Sequence, residues 1–363
     1  MTSQTREGTT MQRSTITGWG RCTPQGIVTN DDLATVMDTS DEWIATRSGI
    51  RQRRVSHVDN SDMATVAAHQ ALAGAGLEAT DIDYILVATC TPDRFIPAMA
   101  CHVQAKLGAV NAAATDTNAG CTGFIYGLNL ANGLIATGSA RRVLLIGSER
   151  LTSYLDLERR DTAVLFADGA GAVILEATDG DDGLCAINVG SDGRLADTLT
   201  VEGAGSSWMD SPTPVRVIMD GREVFRNAVI GMGAAAQRAV EEAGWGLEDV
   251  DLLIPHQANL RIIDATAKRL GLNEDQVYTN IQYYGNTSAA SIPIALSEAL
   301  DAGRITSGAK IILVAFGAGL TWGAAAIQWG ARVEPKGLSD ASLPSSDRTG
   351  LQIMTDRQRA RLT

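Results

Sequence analysis

The chain has 363 residues, 45% of them hydrophobic and 20% charged, which fits two or three ordinary domains or one large duplicated domain. Its formal net charge of −12 argues against nucleic-acid binding, because neutralising phosphates requires a basic face. The N-terminus lacks the apolar stretch of a signal peptide, and no apolar run approaches the roughly 20 residues that span a bilayer. The cysteines are odd in number and never spaced as C-x-x-C, which argues against a disulfide framework or metal site and predicts a reduced, cytoplasmic protein: Cys22, Cys90, Cys101, Cys121 and Cys185.

Short β-branched runs alternate along the chain with alanine-rich stretches of helical periodicity. The predicted strands cover 84–88, 143–146, 163–166, 252–254 and 311–314. The predicted helices include 63–75, 123–136 and 227–243. Strands that alternate with helices indicate a parallel sheet covered by helices on both faces.

Three segments recur in the same order about 165 residues further along, which indicates an internal duplication. The recurring pairs are 81–87 with 248–254, 106–108 with 269–271, and 140–147 with 309–317. The alternative is that alternating α/β chains share such patterns in general. The predicted units are an N-terminal tail at 1–13, a first half at 14–180, a connection and surface excursion at 181–222, a second half at 223–333, and a C-terminal extension at 334–363.

Cys121 lies between Gly120 and Gly123, on a predicted tight turn that leads into the helix at 123–136. At a helix N-terminus the macrodipole and the free backbone N–H groups stabilise a thiolate. We therefore predict a lowered pKa for Cys121 and a nucleophilic role. The alternative is a buried structural cysteine, since most cysteines are of that kind.

His256 directly follows a predicted strand, at the sheet edge where open α/β sheets bind ligands. Asn286 lies in a glycine turn before a small-residue helix, and the duplication makes this turn the counterpart of the one at Cys121. We therefore expect the three side chains to converge. A surface histidine and a helix-capping asparagine are the alternatives. The glycine-rich segment 317–323 offers backbone donors for an oxyanion, or else forms a tight β-turn.

In this ordered combination the chain resembles the β-ketoacyl-acyl carrier protein synthase III family, from about Ser14 to Gly330. The stretches that carry the resemblance are 38–50 (DTSDEWIATRSGI), 166–171 (FADGAG), 255–259 (PHQAN), 285–291 (GNTSAAS) and 316–323. The resemblance implies the thiolase-like, five-layered αβαβα fold with two pseudo-symmetric halves. It also implies a homodimer, no metal or other cofactor, and acyl-CoA and malonyl-acyl carrier protein as substrates.

The same resemblance implies a catalytic triad of Cys121, His256 and Asn286, with the backbone N–H groups of Cys121 and Ala318 as oxyanion hole. The implied reaction is a decarboxylative Claisen condensation through an acyl-cysteine, which initiates fatty-acid or polyketide-type synthesis. Ile96 matches the position that limits starter length across the dimer in the family. The positions that match CoA contacts of the family are Trp43, Arg47, Arg160, Gly221 and Asn259.

Arg261, Lys268 and Arg269 form a basic patch on the predicted helix after His256, and we predict that it docks the acidic carrier protein. A solvated cationic helix face is the alternative. One rival function is that of a same-fold acyltransferase of secondary metabolism, which moves an acyl group from a thioester to an alcohol, an amine or a non-malonyl acceptor. Another is that of a non-catalytic chain-length factor, although such proteins typically lack the nucleophile.

Overall fold

Two mixed β-sheets lie at the centre of residues 12–206 and 214–362, the part of the chain that the computed structural model describes. Along the first sheet the strands are β1 (Arg13–Cys22), β7 (Asp168–Thr178), β6 (Arg142–Arg150), β4 (Tyr84–Ala88) and β5 (Ala113–Thr117). Along the second they are β11 (Leu252–Pro255), β12 (Lys310–Gly317), β13 (Thr321–Gln328) and β8 (Gly183–Ser191). Two antiparallel pairs lie apart from them: β2 (Gly26–Thr29) with β3 (Gln52–Val55), and β9 (Leu199–Glu202) with β10 (Arg216–Met219).

Helices connect and cover these sheets. They are α1 (Asn30–Ala34), α2 (Asp41–Ser48), α3 (Asn60–Ala75), α4 (Met99–Leu107), α5 (Gly123–Ala136), α6 (Arg160–Ala163), α7 (Gly221–Glu242), α8 (Leu260–Leu270), α9 (Ile281–Tyr284), α10 (Ser291–Asp301) and α11 (Gly350–Leu362). Short 3₁₀ turns occupy Ala79–Asp81, Leu151–Tyr154, Gly193–Thr198, Leu247–Asp249, Glu274–Gln276 and Ser288–Ala290.

The hydrophobic core has three main parts, and they define five layers. Apolar side chains of α5 and α10 pack between the two sheets in one continuous cluster. A second cluster joins α3 and α4 to the outer face of the first sheet, and a third joins α7 and α8 to the outer face of the second. The middle helices approach the sheet closely because they are rich in small residues; a Cβ on Gly127 of α5 would lie 2.4 Å from Leu145. The predicted αβαβα arrangement is confirmed.

The two sheets repeat one topology. In the first, β4 and β6 are parallel, and β6–β7 and β7–β1 are antiparallel. In the second, β11 and β12 are parallel, and β12–β13 and β13–β8 are antiparallel. In the first sheet, β5 pairs with the edge of β4. In the second sheet, an isolated parallel bridge between Leu253 and Val277 lies at the matching edge of β11. The loops that lead into α5 and α10 therefore occupy equivalent places in the two sheets.

Three segments differ from the sequence predictions. Residues 163–166, predicted as a strand, form the end of α6 and a turn, and only Phe166 makes an isolated bridge, to Asn286. The predicted connection 181–222 contains β8, which pairs with β13 as a member of the second sheet, while its residues 207–213 lie outside the described residues. The predicted tail 1–13 lies outside them too, except for Gln12 and for Arg13, where β1 begins.

The C-terminal extension ends in α11, which packs onto the first half. Its Ile353 and Met354 are buried in a cluster that also contains Ile44 and Phe166. The Arg357 guanidinium donates hydrogen bonds to the Ser56 carbonyl and the Thr152 hydroxyl. It also lies 3.6 Å from the fully buried carboxylate of Asp168. The extension is thus part of the folded unit.

We expect Arg357→Ala to lower the free energy of unfolding by about 2 kcal/mol, because it leaves the buried Asp168 carboxylate without its counter-charge. Arg359→Ala is the matched control, since that side chain is 80% exposed on the same helix. Urea unfolding of the two variants measures the difference. Equal stabilities would show that the buried pair contributes nothing.

Candidate active site

Cys121 lies on the loop between β5 and α5, two residues before the helix begins. Gly120 has a φ of 53°, a left-handed conformation that favours glycine, and this turn brings Cys121 to the helix N-terminus. The residue is 8% exposed, and it lines two separate cavities. Its position matches the prediction of a cysteine on a tight turn before a small-residue helix.

The prediction of a lowered thiol pKa is wrong for the protein without substrate. Burial raises the pKa of Cys121 to about 12, and the charge of Glu149 adds to the rise. The hydroxyl of Ser288 and the backbone N–H of Cys121 itself act in the opposite direction. At neutral pH the resting nucleophile is therefore a thiol, and its proton must leave as the sulfur attacks.

His256 follows β11, and its backbone N–H donates to the Val314 carbonyl at 2.8 Å. The ring is buried, and its Nδ1 lies 2.7 Å from the hydroxyl oxygen of Ser291, the first residue of α10. A hydroxyl both donates and accepts, so this contact suits either neutral tautomer. Burial lowers the pKa of His256 to about 3, and the imidazole is neutral at physiological pH.

This buried imidazole predicts a pH dependence of stability. The pKa of His256 is about 3 in the fold, against an ordinary 6.5. Between these values the unfolded chain binds a proton that the folded chain does not, so stability is complete above pH 6.5 and falls as the pH falls towards 3. We expect this residue alone to remove about 3 kcal/mol between pH 7 and pH 4.

Urea unfolding of His256→Gln at several pH values measures this component, because glutamine does not titrate. The acid-side loss should be smaller in that variant than in wild type. An unchanged pH dependence in His256→Gln would contradict the assignment.

Asn286 is anchored in the first half of the chain although it belongs to the second. Its backbone N–H donates to the Leu165 carbonyl, and its own carbonyl accepts from Ala167, both at 2.9 Å. The side-chain Oδ1 accepts a hydrogen bond of 2.8 Å from the backbone N–H of Ser288. This bond fixes the orientation of the carboxamide and leaves its NH₂ group as the donor available to a ligand.

The three predicted catalytic residues line one cavity of about 620 Å³. Cys121 comes from the first half, and His256 and Asn286 come from the second. A thiol, a neutral imidazole and an oriented amide around one space provide a nucleophile, a proton acceptor or donor, and a neutral hydrogen-bond donor. These three kinds of group are the ones that acyl transfer from a thioester requires.

The residues predicted to bind CoA lie around the same cavity. Trp43, Arg47, Gly221 and Asn259 line it directly. The Arg160 guanidinium is 4.8 Å from the centroid of the Trp43 ring, and the Arg47 guanidinium is 4.7 Å from it. An indole with two guanidinium groups over it is a suitable surface for a purine carrying phosphates.

Ala318 and Cys121 lie close together through their backbones. A Cβ on Gly120 would be 3.0 Å from the Ala318 nitrogen, and one on Gly317 would be 2.7 Å from the Cys121 nitrogen. The Thr321 hydroxyl, 3.0 Å from both the Ala119 and the Ala318 carbonyl oxygens, holds the two loops together. The backbone segments of Cys121 and Ala318 are therefore neighbours, and both residues line the second cavity.

A second cavity of about 620 Å³ lies on another side of Cys121. Its apolar lining includes Phe95, Leu199 and Val201, and Ala318 lies at its wall. Ile96, the predicted starter-pocket residue, is 86% exposed and is not among the residues that line either cavity. The neighbouring residue, Phe95, lines the second cavity instead.

The predicted basic patch lies on α8. Arg261, Lys268 and Arg269 are exposed, and Arg261 also lines the first cavity. The Arg261 guanidinium is 5.7 Å from the Phe225 ring centroid, so it is partly committed to that contact. The patch therefore begins at the cavity and continues along the helix.

Sequence reasoning missed Ser291, the hydrogen-bond partner of His256, and Ser288, the partner of Asn286. Both lie in the segment 285–291 that carries the family resemblance. It also missed Glu149, the buried carboxyl near Cys121. No local pattern distinguishes that residue, since its contacts come from segments far away in the chain.

Comparison with known proteins matches most of the chain to one family. Residues 115–193 match the family model for 3-oxoacyl-[acyl-carrier-protein] synthase III, and residues 240–329 match the model for its C-terminal part. The chain is 50% identical over 343 residues to β-ketoacyl-[acyl-carrier-protein] synthase III 2 of Vibrio cholerae, covering 94% of this chain and 95% of that protein. It is also 50% identical over 317 residues to the synthase III of Geobacillus kaustophilus, covering 87% of this chain and 98% of that protein.

Solved structures show the same similarity. The synthase III of Aquifex aeolicus superimposes with a TM-score of 0.83 at 43% identity, covering 87% of this chain and 100% of that one. The priming β-ketosynthase of the R1128 polyketide pathway gives a TM-score of 0.85 at 34% identity, covering 91% and 100%. No helix within 12–206 and 214–362 is long and apolar enough to span a membrane.

Proposed function

The chain belongs to the β-ketoacyl-[acyl-carrier-protein] synthase III family of condensing transferases, and we propose that Cys121, His256 and Asn286 join an acyl-CoA starter to malonyl-acyl carrier protein. The observation that carries this assignment of roles is the convergence of the three side chains on one cavity, beside the indole of Trp43. The reaction initiates fatty-acid synthesis.

In the first half-reaction the Cys121 sulfur attacks the thioester carbonyl of acyl-CoA. The thiol proton passes to the neutral imidazole of His256 and then to the departing CoA sulfur, so that acyl-cysteine and free CoA result. The N–H groups of Cys121 and Ala318 donate to the developing oxyanion. The acyl chain occupies the second cavity, which begins at the same sulfur.

In the second half-reaction malonyl-acyl carrier protein replaces CoA and loses carbon dioxide. The electron pair of the broken C–C bond forms an enolate, whose oxygen accepts hydrogen bonds from His256 and from the Asn286 amide. Its carbon then attacks the acyl-Cys121 carbonyl, forms the new C–C bond and expels the cysteine sulfur as a thiolate, which takes up one proton from solvent to return to the resting thiol. Both supporting groups are neutral, which suits a step that needs donors and no strong base.

The partners follow from the same assignment. We infer that Trp43 and Arg160 hold the CoA adenine, Arg47 a phosphate, and Gly221 and Asn259 the pantetheine arm. The patch of Arg261, Lys268 and Arg269 is proposed to dock the acidic acyl carrier protein.

A homodimer and a cytoplasmic location remain part of this proposal. In that dimer the exposed Ile96 reaches the second cavity of the partner, the place where the family limits starter length, while Phe95 lines the cavity of its own chain. The reduced cysteines support the cytoplasmic location.

One incubation distinguishes this function from acyl transfer to an alcohol or amine. Enzyme, acyl-CoA and malonyl-acyl carrier protein should release one carbon dioxide for each β-ketoacyl product. A same-fold acyltransferase would consume acyl-CoA without decarboxylation. Acyl transfer without carbon dioxide release would therefore refute the proposal.

We expect Trp43→Ala and Arg160→Ala to raise the KM for acyl-CoA about tenfold with little change in kcat. These contacts bind the nucleotide equally in the ground state and the transition state. The KM for the malonyl carrier protein should change much less. Arg238→Ala on α7 is the control, and an effect on kcat alone would contradict the assignment.

A further inference from the structure

Glu149, the penultimate residue of β6, is a fully buried carboxyl group to which the mechanism above gives no role. Its oxygens accept hydrogen bonds from the backbone N–H of Cys90 at 3.1 Å and from the hydroxyls of Thr91 at 2.5 Å, Thr89 at 3.2 Å and Ser288 at 3.0 Å. The Cys90 thiol is a further donor at 3.3 Å. Burial raises the pKa of Glu149 above its usual value, and these donors act in the opposite direction because they stabilise the ionised carboxylate.

Ser288 connects this carboxylate to the catalytic groups. Its hydroxyl donates to Glu149, and its backbone N–H donates to the side-chain oxygen of Asn286. The same hydroxyl interacts with the thiol of Cys121. Ser288 has a φ of 49°, which is uncommon for a residue other than glycine, so surrounding contacts must hold it in place. The bond to Glu149 is one of these contacts.

The charge of Glu149 also acts on the nucleophile directly. It raises the pKa of Cys121 beyond the effect of burial, and it raises the pKa of Cys90 in the same way. The titratable groups close to the Cys121 thiol are Glu149 on β6, Cys90 in the loop after β4, and His256 directly after β11. A neutral imidazole and a neutral thiol do not offset a nearby anion.

We propose that Glu149 is a positioning residue of the condensing site: through Ser288 it fixes the carboxamide of Asn286, and it places a carboxyl group behind the cavity wall that Cys90, Cys121 and Ser288 share. The first part rests on the proposed function, because it concerns the enolate step. The second part concerns the surroundings of Cys121 alone.

Glu149→Gln tests the charge with little change of shape. We expect iodoacetamide to alkylate Cys121 about tenfold faster at a fixed pH near 8, with the rate profile displaced to lower pH, because the repelling anion is gone. Peptide mass spectrometry assigns the reaction to Cys121, since Cys101 is exposed and also reacts. Glu176→Gln on β7, which removes a partly exposed carboxylate paired with Arg142, is the matched control and should leave the rate unchanged.

Ser288→Ala should have the opposite effect on alkylation. It removes the hydroxyl whose single hydrogen turns from Glu149 to the sulfur when Cys121 ionises, so alkylation should slow several-fold. Both variants should decarboxylate malonyl-acyl carrier protein about tenfold more slowly once acylated, because the Asn286 amide loses its support. Loss of packing alone would not move the two alkylation rates in opposite directions.

The outcomes separate this proposal from the proposed function. Wild-type alkylation and wild-type condensation in Glu149→Gln would overturn both parts. If wild type itself fails to condense, the positioning of Asn286 falls with the proposed function, while the alkylation rates still decide the effect of the charge. If Glu149→Gln does not fold by circular dichroism, Ser288→Ala decides, and an unchanged alkylation rate there overturns the proposal.

Discussion

Cys121→Ala should lose both the acyl-enzyme and the condensation. Intact-protein mass spectrometry after exposure to a mixture of acyl-CoAs should show one acyl adduct on wild type and none on the variant. The rate of β-ketoacyl product formation should fall by at least about 10⁴-fold, because the covalent route requires the sulfur and no neighbouring group replaces it.

Cys101→Ala is the matched control for this result, because it removes an exposed thiol from α4. It should keep the adduct and the full rate. An acyl adduct of equal yield on Cys121→Ala would show that another residue is the nucleophile.

Asn286→Ala should separate the two half-reactions. Acylation by acyl-CoA should continue, because the amide takes no part in attack on the starter. Condensation should fall by about 10²–10³-fold, the usual cost of removing one donor to a developing oxyanion. The measurement is carbon dioxide release from malonyl-acyl carrier protein by enzyme that has already been acylated.

His256→Ala should also keep acylation and lose condensation, although its acylation should slow because the proton acceptor is gone. Asn111→Ala, an exposed asparagine that donates to the Thr80 carbonyl, is the control for the amide change. Full condensation by Asn286→Ala would remove the amide from the mechanism.

The convergence of the triad was predictable because its members occupy recognisable local frames. Cys121 and Asn286 each lie in a glycine turn before a small-residue helix, and His256 directly follows a strand. The duplication in the sequence already made the Asn286 turn the counterpart of the Cys121 turn. The repeated strand topology of the two sheets explains why the two turns meet.

What could not be predicted depends on burial and on contacts distant in sequence. The thiol pKa of Cys121 was expected to be low from the helix N-terminus, and burial beside Glu149 reverses the direction. The Ser288–Glu149 hydrogen bond joins residues 139 positions apart, and no spacing rule reports it. The expected strand at 163–166 has apolar residues of the right type, but only Phe166 finds a strand-like partner.

The C-terminal extension illustrates the same limit. Its sequence is rich in serine, arginine and aspartate and resembles a surface tail. In the structure, however, Arg357 of α11 lies beside the buried Asp168. Asp168 is two residues after Phe166, which lines the first cavity. A polar composition therefore did not exclude a structural role, because Arg357 and the buried Ile353 and Met354 contribute to the docking of this helix.

A single-turnover experiment with isolated acyl-enzyme tests the central claim most directly. Wild type is acylated with one acyl-CoA, freed of excess CoA thioester, and mixed with malonyl-acyl carrier protein. The account predicts that the acyl mass on Cys121 disappears as one carbon dioxide and one β-ketoacyl carrier protein form per enzyme. An acyl group that stays on the protein, or that leaves as the free acid without carbon dioxide, would contradict it.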